Sequence, residues 1–166
     1  MDRIAVVGAG TWGTTVAILA ARSMPTVLWA RRPELAREMA ETRENRQYLP
    51  GRGLPESLVT ESDLEAAVVG ASAVVMAVPS HGFRGVYTQI ARVLSDEVPV
   101  LSLTKGIEQE TLATMTQVVM EASPAKRAGL VGVMTGPNLA GEVAAGQPTA
   151  SVIAMPDQDT ARSLQD

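Results

Sequence analysis

The sequence contains no cysteine, which excludes a disulfide framework, a thiolate metal site and cysteine-based catalysis. Its single histidine cannot build a multi-histidine site, so no metal is expected. Aromatic residues make up 3% of the chain, too few for the stacking platforms that hold single-stranded nucleic acids. Basic charge is not in excess either: 14 Lys and Arg stand against 18 Asp and Glu, a net charge of −4. Nucleic-acid binders carry a basic footprint, so no nucleic-acid partner is expected. The opening residues, Met1 to Gly8, show neither a basic leader nor the apolar stretch of a signal peptide. The long uncharged stretch 66–83 is broken by Gly70, Ser72, Pro79, Ser80 and Gly82. It reads as a helix end, a turn and a buried strand, not a membrane span.

What remains is globular. The 166 residues are 46% hydrophobic and 19% charged, the balance of one cytoplasmic domain spanning residues 1–166. A chain of this length buries roughly 70% of its unfolded surface and needs no covalent staple. Short apolar runs alternate with helical patterns. Strands are predicted at Ile4–Val7, Thr26–Trp29, around Leu58–Thr60, and at Ala73–Val78, Val98–Leu103, Gly129–Met134 and Ala150–Ala154. Between them, helical spacing links Val16, Leu19 and Ala20, then Leu35 and Met39 behind Pro33, then Phe83, Val86, Ile90 and Val93. Leu112, Met115, Val118 and Val119 make a further stripe, with Glu108 and Glu110 near its start. Ser62 is placed to cap a short helix with Glu65 completing a capping box. Met39, Met115 and Met120 read as core packing. The alternation predicts an α/β, Rossmann-type doubly wound fold, its mostly parallel sheet covered by helices on both faces. Pro156-Asp157 opens a last helix, but no stop signal follows before Asp166. The chain therefore reads as the front part of a longer protein.

Gly8-Ala9-Gly10-Thr11-Trp12-Gly13 lies between the first predicted strand and helix. That is the setting the dinucleotide fingerprint requires. Gly8 allows the tight turn, Gly10 leaves room for a pyrophosphate against the backbone, and Gly13 lets helix and strand pack closely. The free amides at the helix start would face the phosphates. A glycine-rich turn without a ligand is the plainer alternative. Where an NAD site usually carries an acidic residue, after the second strand, this chain has Arg31-Arg32. Guanidinium groups suit a 2′-phosphate. NADPH is thus the preferred cofactor, with NAD still open; a solvated basic turn is the alternative. Lys105 and the stretch Gly136-Pro137-Asn138-Leu139-Ala140 both follow strands, the end of a parallel sheet where ligands bind. A lysine there can hold an anion or polarise a carbonyl, and exposed loop amides can reach a phosphate or a nicotinamide; a surface lysine, and a structural turn with Glu142 near a helix start, are the plainer alternatives. His81 has no acid partner or oxyanion hole that spacing can assign to it.

Taken in order, these motifs resemble the amino-terminal domain of the bacterial NAD(P)-dependent glycerol-3-phosphate dehydrogenases. The resemblance rests on Gly8–Thr14, on Leu28-Trp29-Ala30-Arg31-Arg32, and on Asn45-Arg46-Gln47-Tyr48-Leu49-Pro50-Gly51. It continues through Val78-Pro79-Ser80 with Phe83, Thr104-Lys105-Gly106-Ile107-Glu108, Gly136–Val143 and Pro148-Thr149-Ala150. It implies interconversion of glycerol 3-phosphate and dihydroxyacetone phosphate for phospholipid synthesis. It further implies that Thr11 and Trp12 contact the cofactor, Arg31 and Arg32 its adenosine phosphate, and Tyr48, Phe83 and Ala140 other parts of it. Lys105 would serve cofactor and substrate, and Gly136 and Asn138 the substrate. The family's helical substrate domain, with its proton-transferring lysine, has no counterpart in this chain. After Lys105 the one lysine is Lys126, which matches no such motif. No catalytic residue is assigned, and these residues alone are expected to be nearly inactive. No membrane insertion is expected, and a homodimer stays open for the longer protein. Ser23-Met24-Pro25 replaces the family's usual glycine-containing turn. Two other readings stay open: another two-domain dehydrogenase acting on a hydroxy acid or sugar acid, and an NADPH-binding sensor without chemistry.

Overall fold

The computed structural model describes residues 2–123 and 125–165. The side chain of Lys126 lies outside the described residues. Strands β1 (Ile4–Val7), β2 (Thr26–Trp29), β3 (Leu58–Glu61), β4 (Ala73–Met76), β5 (Val100–Ser102), β6 (Val131–Thr135) and β7 (Val152–Ala154) form one sheet. Its order is β3-β2-β1-β4-β5-β6-β7. Every neighbouring pair is parallel except β6 and β7. The crossovers are α1 (Thr11–Ala20), α2 (Pro33–Thr42), α3 (Leu64–Val68), α4 (Ser80–Ile90) and α5 (Met115–Glu121). A 3₁₀ turn (Ala125–Leu130) precedes β6, and α6 (Ala140–Ala144) and α7 (Gln158–Ser163) flank β7. This is the doubly wound fold expected.

Strands β1, β2 and β4 are buried at every position, which is why they read as continuous apolar runs without alternation. Successive side chains still point to opposite faces. Val6, Leu28, Val75 and Leu101 pack with Ala17 and Ile18 of α1 and Leu35 and Met39 of α2. Val7, Val27, Val74 and Met76 pack with Phe83, Tyr87 and Ile90 of α4 and Val118 and Val119 of α5. Phe83 and Tyr87 stack with ring centroids 6.3 Å apart. Burying each such side chain stabilises the fold by about 1.5–3 kcal/mol; Phe83→Ala would cost about 3–5 kcal/mol.

Several local expectations are corrected. Asp63, not Ser62, caps α3, its Oδ1 accepting from the Ala66 N–H at 2.9 Å. The Glu61 carboxylate takes the N–H groups of Ser62 and Asp63 at 2.6 and 2.9 Å, which moves the cap one residue on. Leu112 is not on a helix: it has φ 58 and is 69% exposed. Thr114 and Gln117 form a capping box, and this stop-and-start signal outweighs the apolar spacing through Leu112. Glu108 therefore precedes a turn that contains Glu110, not a helix. Val93 lies beyond α4 and Met120 on the outer side of α5, both exposed. Gly129 and Leu130 belong to the 3₁₀ turn, Ala77 and Val78 lie beyond β4, and β7 is shorter than expected. The Pro156-Asp157 expectation holds: Asp157 caps α7 through the N–H groups of Asp159 and Thr160. No helix among the described residues is long and apolar enough to cross a membrane.

Candidate functional site

From β1 the chain crosses by α1 to β2 on one side, while β4 lies on the other side of β1. The connections leaving the carboxyl ends of β1 and β4 diverge, and such a switch point opens a crevice above the strands. The turn Gly8–Gly10 lies there. Gly8 has φ +120, and a Cβ on it would stand 2.7 Å from the Ala77 carbonyl oxygen. A Cβ on Gly13 would stand 1.9 Å from the Gly8 carbonyl oxygen. Only glycine admits this approach of helix to strand. Around Gly10 nothing lies within 4 Å of the position a Cβ would take, so the backbone there is open to a ligand.

The start of α1 has no side-chain cap and no acidic residue in its first turn. The N–H groups of Gly10, Thr11, Trp12 and Gly13 find no acceptor among the described residues. Unpaired amides at the positive end of a helix suit an anion. The geometry therefore fits the pyrophosphate of a dinucleotide.

Two hollows meet at Gly10, Ala77, Val78 and Pro79. One, of about 280 Å³, runs towards β2 and is bounded by Arg31, Arg32, Tyr48, His81 and Gly82. The other, of about 390 Å³, runs towards β5 and β6 and is bounded by Thr11, Trp12, Lys105, Gly136, Asn138 and Ala140. Of the residues given a cofactor or substrate role in the sequence, Phe83 alone borders neither hollow. It is fully buried among the core side chains, because the helical spacing that ties it to Ile90 turns it inward, and Gly82 borders the β2-side hollow instead.

Each hollow has its own supports. On the β2 side, Arg32 Nη2 donates to Gln47 Oε1, while Arg31 is exposed. The loop carrying Tyr48 is closed by a bridge between Glu44 and Gly53 and held by Arg43, which donates to the Leu54, Pro55 and Leu58 carbonyls. On the other side, Thr104 Oγ1 donates to the Val78 carbonyl at 2.7 Å. Arg84 grips Glu108 through two 2.7 Å bonds and reaches Glu121 at 2.7 Å. This pairing with Arg84, aided by Thr111, holds the Glu108 carboxyl down at about 2. Ser151 Oγ donates to Asn138 Oδ1 at 3.2 Å, and Thr15 Oγ1 reaches the Ala140 carbonyl at 3.3 Å.

Sequence reasoning left three neighbours of the hollows without a role. Asn45 is fully buried behind the glycine turn, a polar residue in an apolar setting. Glu108 is the anchor of the Lys105 loop, although its place beside Glu110 suggested a helix start. His81 borders the β2-side hollow, a position that follows from its place after the Val78-Pro79 strand end. Among the described residues no group of three or more His, Asp or Glu could hold a metal ion.

The sequence pattern of the family described as NAD-dependent glycerol-3-phosphate dehydrogenase N-terminus matches residues 3–161. The chain belongs to that family. It is 45% identical over 163 residues to the protein named glycerol-3-phosphate dehydrogenase (NAD(P)+) 2 of Sphingopyxis alaskensis, covering 98% of this chain and 48% of the relative. A Mycobacterium avium protein named glycerol-3-phosphate dehydrogenase (NAD(P)+) is 47% identical, with 98% and 47% covered. The crystal structure of glycerol-3-phosphate dehydrogenase from Coxiella burnetii superposes with a TM-score of 0.89 at 31% identity, over 98% of this chain and 49% of that one. The chain thus spans about half the length of the curated relatives it matches.

Proposed function

We propose that this chain is the cofactor-binding half of an NAD(P)-dependent glycerol-3-phosphate dehydrogenase. In this reading it acts in the cytoplasm on glycerol 3-phosphate and dihydroxyacetone phosphate. The observation that carries it is the continuity of the two hollows across Gly10, in a chain belonging to this family. The amides of Gly10, Thr11, Trp12 and Gly13 hold the pyrophosphate. Arg31 and Arg32 take the adenosine end, and their charge favours the 2′-phosphate of NADPH over the bare hydroxyl of NADH. Tyr48 flanks the same end. Thr11, Trp12, Lys105 and Ala140 bound the space for the nicotinamide, which when bound supplies or accepts the hydride.

Lys105 Nζ carries a positive charge where the substrate's phosphate or carbonyl oxygen would lie, and Gly136 and Asn138 orient the rest of the substrate. Fixing cofactor and substrate at one place is what these groups contribute to rate. The described residues offer no acid–base group beside Lys105 and Asn138 on the β5–β6 side; His81 borders the other hollow. On the family resemblance, the proton at the carbinol oxygen is handled by a lysine of the substrate domain, and these residues alone turn over little substrate.

The test is amide chemical-shift mapping with NADPH, then with dihydroxyacetone phosphate added. The first ligand should move Gly10, Thr11, Trp12, Tyr48 and Lys105, and the second Lys105, Gly136 and Asn138. Perturbations confined to other surfaces would sink the assignment, and so would rapid NADPH oxidation by this chain alone.

A further inference from the structure

Beside the glycine turn, Asn45 is a fully buried polar residue at the start of the loop that carries Tyr48. Its Nδ2 donates to the Ala9 carbonyl at 3.0 Å and to Thr14 Oγ1 at 2.8 Å, and its Oδ1 accepts from the Tyr48 N–H at 3.2 Å. Both amide protons and the amide oxygen are thus used. One side chain joins the turn, the first helix and the loop on the far wall of the β2-side hollow. The Asn45 carbonyl also accepts from the Leu49 N–H at 2.8 Å, so its own loop holds the residue in place.

The consequence follows from peptide geometry. In a planar trans peptide the carbonyl of one residue and the N–H of the next point in opposite directions. Asn45 draws the Ala9 carbonyl into the protein, so the Gly10 N–H is turned the other way. That amide has no acceptor among the described residues, and the space beside Gly10 is open. Without a donor at Ala9, a turn with two flanking glycines would be free to rotate that peptide. The carbonyl would then face the phosphates, replacing an attraction with a repulsion.

We propose that Asn45 is a positioning residue for pyrophosphate binding: it sets the orientation of the Ala9–Gly10 peptide and couples it to the loop bearing Tyr48. This rests on the dinucleotide reading given above. Asn45 touches no ligand and works through the turn. Its effect should therefore fall mainly on ligands that carry a pyrophosphate, because the Tyr48 loop at the adenosine end keeps its Glu44–Gly53 bridge and its Arg43 bonds.

The experiment compares wild type with Asn45→Ala and Asn45→Leu, the second keeping the space filled in case the smaller side chain leaves a cavity that unfolds the chain. Folding is checked by circular dichroism and thermal melting. Affinities for NADPH and for adenosine 2′-phosphate, which has no pyrophosphate, are measured by titration. The expected result is that each folded variant loses about tenfold or more in NADPH affinity, the worth of one misdirected charge-assisted hydrogen bond. Adenosine 2′-phosphate should change by less than about twofold. Equal losses for both ligands would mean that Asn45 only supports the fold, and unchanged NADPH affinity would remove it from binding altogether; either overturns the proposal. If wild type binds neither ligand, the dinucleotide reading itself has failed, which is distinguishable because no substitution is then involved.

Discussion

On the β2 side of the glycine turn, β1 and β2 are buried at every position and Asn45 locks turn, helix and loop together. On the β5–β6 side, β6 passes from buried to exposed along its length, and β7 is an antiparallel edge with Val152 61% exposed. Lys105 and Leu139 stand in solvent there as well. The first region is closed next to the glycine turn and opens only at its outer edge, where Val59 of β3 is 56% exposed. The second shows charge and apolar surface around a hollow of about 390 Å³. A stable scaffold thus holds the proposed cofactor end, and the proposed substrate end is left adaptable.

Gly13→Ala should break this contrast most severely. Its Cβ would meet the Gly8 carbonyl oxygen at 1.9 Å, in the region with no room to give. We expect a loss of about 2 kcal/mol or more in urea unfolding, and NADPH binding beyond detection by titration. Retained stability would show that the β2 side is looser than its packing implies.

Arg31→Ala tests that side without touching its core. NADPH affinity should fall by about ten- to a hundredfold, the worth of one charge-assisted contact, and NADH affinity by less than about threefold. Equal losses measured by calorimetry would take the 2′-phosphate away from Arg31. On the open side, Lys105→Met should reduce NADPH affinity by no more than about tenfold. It should leave the melting temperature almost unmoved, because the side chain is exposed.

The smallest effect is expected for Glu108→Gln. The folded protein holds this carboxyl at about 2, below its ordinary 4.5, mainly through Arg84. A depressed carboxyl favours the fold above pH about 4.5 and loses that contribution as pH falls towards 2. The melting temperatures of wild type and variant should therefore differ modestly at neutral pH and converge on acidification. NADPH affinity should change by less than about threefold, as expected for a partly solvated pair. A gap that widens in acid would contradict the Arg84 pairing.

These two regions also differ in how far they could be read without coordinates. The alternation of apolar runs and the Gly8–Gly13 spacing are local patterns with one structural solution, so β1, α1, β2 and the crevice were legible. Arg31 and Arg32 were legible because they directly follow a strand end. The burial of Phe83 was legible only from its helical spacing to Ile90, whereas the family likeness associates it with the cofactor. Leu112 misled because apolar spacing was followed across a point where Thr114 and Gln117 restart the helix. Asn45 had a recognisable neighbourhood but no role, since its partners Ala9 and Thr14 are more than thirty positions away. The Arg84–Glu108 link is hidden likewise, its partners lying 24 positions apart.

The most direct test of the whole account is a calorimetric titration of this chain with NADPH and, separately, NADH. Saturable binding of NADPH, clearly tighter than that of NADH, is the predicted result; a folded sample that binds neither would contradict it.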